Sequence, residues 1–160
     1  MIKAVFPGSF DPVTKGHINL IERASTAVDL LFVAVLVNPA KKTLFSIEER
    51  KNMLKEAVKH LPNVEIISFE GLLAELVKQE NISFIIKGVR NLVDFESEYT
   101  QANINRLLSN GVETLLLPSD PRYSAISSTV VKEIASFNGD LDSFVPQFVV
   151  KALKNKINIK

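Results

Sequence analysis

The sequence predicts a single domain, residues 1–160, with a doubly wound α/β fold in which helices flank a sheet of five parallel strands. Apolar runs of strand length alternate with segments of helical periodicity along the whole chain. Residues 30–37 (LLFVAVLV) contain no polar side chain, which is typical of a strand that is buried on both faces of a parallel sheet. No linker, internal repeat or low-complexity tract interrupts this alternation.

Each element has its own local signal. The first strand is predicted at residues 2–6, and a turn rich in Pro and Gly then leads into a helix that begins near His17. The second helix begins after Ser46, which forms a capping-box pattern with Glu49, and Pro62 ends it. The later strands are predicted at 64–69, 82–86 and 113–117, and the later helices at 72–80, 92–109, 127–137 and 146–156.

This topology predicts where a ligand binds. If the chain reverses direction across the sheet after the third strand, the first and fourth strands become neighbours, and the crevice beyond their carboxyl ends is the binding site. Five loops can reach this crevice, at residues 7–17, 38–42, 69–73, 87–91 and 118–129. We therefore expect the functional residues in these loops.

The loops carry groups that suit an anionic ligand. A helix N-terminus has unpaired N–H groups and a partial positive charge, and His17 stands in the first predicted helical turn. Four cations, Lys41, Lys42, Lys87 and Arg90, follow the second and fourth strands. The hydroxyls of residues 127–129 open another helix, where one of them is expected to be the N-cap. The alternative is a turn with an incidental histidine and solvated lysines.

Composition excludes several other classes of function. Lys and Arg number 19 against 18 Asp and Glu, so no overall field attracts nucleic acid or an anionic membrane. The chain has no Cys, which excludes disulfides, zinc thiolate sites and thiol nucleophiles and fits a cytoplasmic protein. No stretch has the length and apolarity of a membrane span or a signal peptide. Small anionic molecules are the expected partners.

Several motifs resemble a known family. The T-x-G-H motif at 14–17, G-S-F-D-P at 8–12 and I-S-S-T at 126–129 resemble the nucleotidylyltransferase superfamily, which has a Rossmann-like fold. Within it, NPAKK at 38–42, FSIEER at 45–50, GVRN at 88–91, DFESE at 94–98 and VKE at 131–133 resemble the bacterial phosphopantetheine adenylyltransferases. The resemblance extends from the first strand to the terminal helix.

The resemblance implies a reversible transfer of an adenylyl group from ATP to 4′-phosphopantetheine, which gives dephospho-coenzyme A and pyrophosphate. It also implies Mg²⁺ that travels with ATP, because no cluster of carboxylates forms a metal site in the sequence. A homohexamer and feedback binding of coenzyme A are further implications. No nucleic acid or membrane is expected to take part.

The resemblance assigns roles to individual residues. The catalytic group would comprise His17, which stabilises charge on the α-phosphate in the transition state, Lys41, which orients the incoming phosphate, and Ser9, which holds a phosphate oxygen. ATP would be bound by Ser9, Phe10, His17, Gly88, Val89, Arg90, Glu98, Tyr123, Ser124, Ala125, Ile126, Ser127, Ser128 and Thr129. The acceptor substrate would be bound by Ser9, Lys41, Leu73 and Lys87.

One residue departs from the family pattern, and alternatives to the implied function also have to be considered. Lys87 occupies a position where the family usually has arginine, so charge is kept and bidentate geometry is lost. The alternative for Lys87 is a residue that only ends a strand and points to solvent. For the whole protein, the alternatives are adenylyl or cytidylyl transfer to another small phosphate acceptor, and a non-catalytic adenine-nucleotide sensor.

Overall fold

The computed structural model describes residues 1–40 and 42–157, and it confirms the predicted fold class. The strands are β1 (Lys3–Gly8), β2 (Leu30–Val37), β3 (Val64–Glu70), β4 (Phe84–Val89) and β5 (Glu113–Pro118). The helices are α1 (Lys15–Ser25), α2 (Ile47–Val58), α3 (Leu73–Glu80), α4 (Leu92–Leu108), α5 (Ser128–Ser136) and α6 (Gln147–Ile157). All four strand pairs are parallel, in the order β3-β2-β1-β4-β5. β1 and β4 are therefore neighbours, as predicted.

Alternate side chains of the central strands enter two separate cores. Ala4, Leu31 and Val33 belong to the larger core, which also contains buried residues of α1, α2, α5 and α6. Val5 and Phe32 point the other way and pack with residues of α3. Because burial on both faces needs apolar residues at every position, the unbroken apolar run of β2 follows directly from its central place.

Three predicted elements end two or more residues away from the observed end. The first strand covers 3–8 instead of 2–6, since its pairing with β2 continues to Gly8. The fourth strand covers 84–89 instead of 82–86, since the N–H of Ile82 still bonds to Val77 at the end of α3 and the sheet pairing with β5 continues to Val89. Lys87 and Gly88 are thus strand residues, and they do not form a loop. The second helix ends at Val58, four residues before Pro62. A short 3₁₀ helix, Pro121–Tyr123, lies in the loop after β5 and was not predicted.

Gly88 lines the cleft and also allows close packing of β4 against α1. A Cβ atom at this position would lie 2.3 Å from Cδ1 of Leu20, which is a buried residue of α1. Helix α1 can therefore approach β4 closely at this point. No helix in the described part of the chain is long and apolar enough to cross a membrane.

Candidate active site

A cleft with a volume of about 250 Å³ lies beyond the carboxyl ends of β1 and β4. These are the two strands between which the chain reverses, so the cleft is at the switch point of the doubly wound sheet. Its walls come from the β1–α1 turn, the end of β4, helix α4 and the start of α5. They comprise Phe6, Pro7, Gly8, Phe10, Thr14, Gly16, His17, Leu20, Lys87, Gly88, Arg90, Asp94, Glu98, Ser119, Tyr123, Ile126, Ser127 and Ser128.

The first turn of α1 holds the imidazole of His17 in one orientation. Thr14 is the N-cap of this helix, and its hydroxyl accepts the backbone N–H of His17. In return, the backbone N–H of Thr14 donates to Nδ1 of His17 at 3.1 Å. Because Nδ1 accepts a hydrogen, the neutral ring carries its proton on Nε2. His17 is therefore a hydrogen-bond donor on its Nε2 side.

The environment also keeps the His17 ring uncharged. Burial and, to a lesser degree, the nearby Arg90 guanidinium lower the pKa of His17 from 6.5 to about 4. The ring of Phe10 packs edge-on against the imidazole, with 5.1 Å between ring centroids. Phe10 itself has a φ of +48°, which is unusual for an aromatic residue and marks a constrained turn. The turn thus presents a neutral donor from a rigid position.

The two cations of the cleft are each paired with a carboxylate of α4. Nζ of Lys87 lies 3.1 Å from Oε1 of Glu98. Arg90 donates from Nε and Nη2 to the two oxygens of Asp94, at 2.7 and 3.0 Å. These hydrogen bonds raise the pKa of Arg90 and lower the pKa of Asp94. Asp94 and Glu98 are four residues apart, so they lie one helical turn from each other on the same side of α4.

The start of α5 forms the opposite wall, and its hydroxyls are largely used within the protein. Ser127 is the N-cap and accepts the N–H of Val130, as expected for one of the three hydroxyl residues. Ser128 donates to the carbonyl oxygen of Pro12. What remains available to a ligand on this side is chiefly the backbone at the helix N-terminus.

Comparison with known proteins identifies the family. Residues 5–134 match the model of the cytidylyltransferase-like family. A phosphopantetheine adenylyltransferase of Clostridium perfringens is 50% identical over 154 residues, 96% of this chain and 94% of that protein. Another, from Caldanaerobacter subterraneus, is 52% identical over 153 residues, 96% of each chain. This chain belongs to the phosphopantetheine adenylyltransferase family. It is therefore related to nucleotidyltransferase enzymes over nearly its full length.

A solved structure supports the fold of this family more distantly. A Vibrio parahaemolyticus protein assigned as a nicotinate-nucleotide adenylyltransferase superposes with a TM-score of 0.65 over 97% of this chain and 93% of its own. At 16% sequence identity, the likeness concerns the fold alone.

The structure brings together many of the site residues that the resemblance to phosphopantetheine adenylyltransferases predicts. Ten of them line the cleft: Phe10, His17, Lys87, Gly88, Arg90, Glu98, Tyr123, Ile126, Ser127 and Ser128. The idea that Lys87 points to solvent is wrong, since its side chain is only 25% exposed and paired with Glu98. Val89, Ser124, Ala125 and Thr129 adjoin the cleft in sequence without lining it.

Of the predicted acceptor residues, Lys87 lines the main cleft, whereas Ser9 and Leu73 do not. Ser9 lines a second pocket with Asn38, Thr43 and Arg50, next to the end of β2. Leu73 begins α3 and packs against the smaller core. Lys42 is exposed, and Lys41 lies outside the described residues. The predicted site is thus divided between the main cleft and the neighbouring pocket.

Several residues with a part in the site were not predicted from the sequence. Asp94 neutralises Arg90, Thr14 orients His17, and Ser119 lines the cleft. The spacing of Asp94 and Glu98 in DFESE was the signal that could have revealed two carboxylates on one side of a helix. Two buried charged residues outside the cleft, Asp11 and Arg50, stand in the G-S-F-D-P and FSIEER motifs, but no role for them was predicted from the sequence.

No group of three or more His, Asp or Glu side chains converges to hold a metal ion within residues 1–40 and 42–157. The nearest acidic side chains, Asp94 and Glu98, are engaged by Arg90 and Lys87. The donor set of the cleft suits phosphate oxygens better than a bare metal ion.

We expect His17 to remain neutral far below the usual range of histidine. In an NMR titration of the imidazole signals, the His17 midpoint should fall near pH 4, and His60→Gln assigns the signals because the chain has two histidines. The unfolded chain binds this proton below about pH 6.5 and the folded chain only near pH 4, so His17 makes folding less favourable as the pH falls through that interval. A His17 midpoint at or above 6.5 would contradict the described environment.

Proposed function

We propose that this protein transfers the adenylyl group of ATP to 4′-phosphopantetheine and releases pyrophosphate. The observation that carries the proposal is the neutral, oriented imidazole of His17, with a hydrogen on Nε2, in a cleft that also contains Lys87 and Arg90. Relatives named phosphopantetheine adenylyltransferase at 50% and 52% identity support this choice of substrates.

The chemistry needs positioning and charge stabilisation more than proton transfer. A phosphate oxygen of the acceptor, already anionic, attacks the α-phosphorus of ATP, and the bond to the bridging oxygen breaks as pyrophosphate leaves. No general base is required. The low pKa of His17 makes it a poor proton acceptor, whereas its Nε2–H can donate to an α-phosphate oxygen as negative charge grows.

The ion pairs with α4 keep the cations of the cleft in place before a substrate binds. In our proposal, ATP phosphates approach Arg90 and the N-termini of α1 and α5, and the acceptor phosphate approaches Lys87. Oε2 of Glu98 is buried and has no hydrogen-bond partner in the described part of the chain. In our proposal it accepts a hydrogen bond from a hydroxyl or amino group of ATP. Ser9, Lys41 and Leu73 are proposed to serve the acceptor, and Ser9 lines the pocket that adjoins the cleft.

We propose that Mg²⁺ enters with ATP, held by its phosphates instead of by a cluster of protein carboxylates. When bound, the ion supplies positive charge to the leaving pyrophosphate. The reaction is proposed to occur in the cytoplasm, where ATP is available, which agrees with a chain that contains no Cys.

The test is pyrophosphate release on mixing the protein, ATP, Mg²⁺ and 4′-phosphopantetheine. We expect turnover with this acceptor and none with nicotinamide mononucleotide or with CTP and glycerol phosphate. Release only with another acceptor or with CTP would favour the alternative transfer reactions. Tight ATP binding without pyrophosphate release in the presence of any of these acceptors would favour a nucleotide sensor.

Feedback by coenzyme A is part of the proposal, because coenzyme A contains the phosphopantetheine arm of the acceptor. We expect it to bind where the acceptor binds and to raise the apparent KM for 4′-phosphopantetheine. Inhibition that acceptor cannot relieve would place coenzyme A elsewhere.

We also propose that the protein is a homohexamer in which α4 lies at an interface. This 17-residue helix has no buried residue in the single chain. Its exposed apolar side chains include the stacked rings of Phe95 and Tyr99 and residues near both ends of the helix: Leu92, Val93, Phe95, Tyr99, Ile104, Leu107 and Leu108. Exposed apolar surface of this kind commonly marks contacts with another chain.

Sedimentation should therefore give a mass near six times the 17.8 kDa of one chain. The double substitution Phe95→Glu and Tyr99→Glu is expected to yield smaller species, because charges would be buried at the contact. The matched control is Phe137→Glu, which alters an aromatic residue that is 81% exposed at the end of α5 and should leave the mass unchanged. A wild-type monomer would contradict this proposal.

A further inference from the structure

Two buried side chains of opposite charge join the turn after β1 to the loop between β2 and α2. Asp11 is 4% exposed and Arg50 is 3% exposed. Neither lines the main cleft. Such complete burial of a charge is costly unless hydrogen bonds satisfy it. The hydrogen-bond partners of Asp11 and Arg50 therefore indicate which parts of the backbone these side chains fix in place.

Asp11 binds the backbone of the β2–α2 loop. Its Oδ2 accepts the N–H of Leu44 at 2.8 Å, and its Oδ1 accepts the N–H of Phe45 at 2.9 Å. Nζ of Lys132, from α5, lies 3.1 Å from Oδ2 and balances the charge. A carboxylate that uses both oxygens on successive amides fixes the loop in position and in orientation.

Arg50 makes the reverse connection, from α2 to the turn after β1. Its Nη1 donates to the carbonyl oxygen of Ser9 at 2.8 Å, and its Nε reaches the carbonyl oxygen of Ser46 at 3.4 Å. Within residues 1–40 and 42–157, no carboxylate forms an ion pair with it. The guanidinium thus donates hydrogen bonds to backbone carbonyls, and Arg50 also lines the pocket that contains Ser9.

The two connections are reciprocal. Asp11 reaches from the β1–α1 turn to amides 44 and 45, and Arg50 reaches from just beyond that loop back to carbonyl 9. The turn between these contacts carries Phe10, which packs on His17. The loop carries Lys41, proposed above to orient the acceptor phosphate. The relative position of the two loops is therefore set by buried charges that do not line the main cleft.

We infer that Asp11 and Arg50 are positioning residues that hold the β2–α2 loop against the phosphate-binding turn, so that the acceptor is placed for attack on ATP. This inference rests on the proposed function for the identity of the acceptor. It predicts a selective effect, because loosening the loop removes the acceptor's support while α1, α5 and β4 still bind ATP.

Asp11→Asn tests the inference with a side chain of the same shape. The amide offers one acceptor oxygen and places an NH₂ group against the other backbone N–H, so one loop hydrogen bond is lost. We expect faster hydrogen exchange at amides 44 and 45, a KM for 4′-phosphopantetheine raised at least about tenfold, and a KM for ATP within about twofold. Asp29→Asn is the control, since Asp29 likewise accepts a backbone N–H, from Ile2, and pairs with the N-terminal ammonium.

A second variant keeps the test decisive if Asp11→Asn folds poorly. Arg50→Lys retains the charge but replaces the planar fork, whose Nη1 and Nε reach the carbonyls of Ser9 and Ser46, with a single nitrogen. It should produce the same selective rise in the KM for the acceptor. Equal rises for both substrates, or unchanged exchange at amides 44 and 45 in Asp11→Asn, would overturn the inference. If the wild type gives no pyrophosphate with 4′-phosphopantetheine, the proposed function fails, and the exchange measurement still decides whether the buried charges hold the loop.

Discussion

Replacement of His17 by Ala is expected to lower kcat by on the order of a hundredfold or more, the scale for losing one donor to a developing oxyanion. The KM for ATP should stay within about twofold, because a donor aimed at charge that appears only in the transition state contributes little to ground-state binding. Steady-state kinetics with ATP and 4′-phosphopantetheine measure both quantities.

The structure adds a small expected loss of stability to this variant. Nδ1 of His17 accepts the N–H of Thr14, so the alanine leaves one capping hydrogen bond unmade, at a cost of about 1 kcal/mol. His60→Ala is the matched control, because His60 is exposed and pairs with Glu22 away from the cleft. A His17→Ala protein that melts far below the wild type yet keeps its specific activity would mean that the histidine is structural.

Replacement of Lys87 by Ala is expected to raise the KM for 4′-phosphopantetheine by at least about tenfold, with a much smaller change for ATP, because it removes the charge that we propose binds the acceptor phosphate. Lys87→Arg should be tolerated, since the guanidinium keeps the charge and can still pair with Glu98. KM values for the two substrates in both variants decide the matter.

The contact between Lys87 and Glu98 calls for one further variant. Lys87→Ala leaves the carboxylate of Glu98 without its cation, 20% exposed and beside the proposed ATP site. The double variant Lys87→Ala with Glu98→Gln removes that unpaired charge. If acceptor KM stays high in the double variant, the lysine itself binds the acceptor. A selective rise in the KM for ATP would instead place Lys87 on the nucleotide side.

Much of the architecture could be predicted because its signals are local or periodic. The apolar run of β2, the capping box of Ser46 with Glu49, and the turn before His17 each predict an element from neighbouring residues. Alternation of strands and helices then leaves few topologies, and the neighbour relation of β1 and β4 is confirmed. The position of the cleft follows from that relation.

The boundary errors also come from reliance on local patterns in the sequence. Ile82 is apolar and stands in a suitable run, so the sequence indicates strand, but its N–H completes the end of α3. Conversely, Lys87 and Gly88 look like loop residues and are strand residues because β5 supplies pairing partners. Pairing in a parallel sheet depends on segments far apart in the chain, which a local pattern does not contain.

Local and periodic patterns in the sequence were enough to predict the fold class, the order of elements and the place of His17 in a first helical turn. The folded chain was needed to show that carboxylates of α4 pair with Lys87 and Arg90, that Ser9 lines a neighbouring pocket, and that Asp11 and Arg50 are buried. This difference arises because apolar periodicity reports burial along one element. The role of a charge, by contrast, depends on which backbone or side-chain groups other elements bring within hydrogen-bond distance.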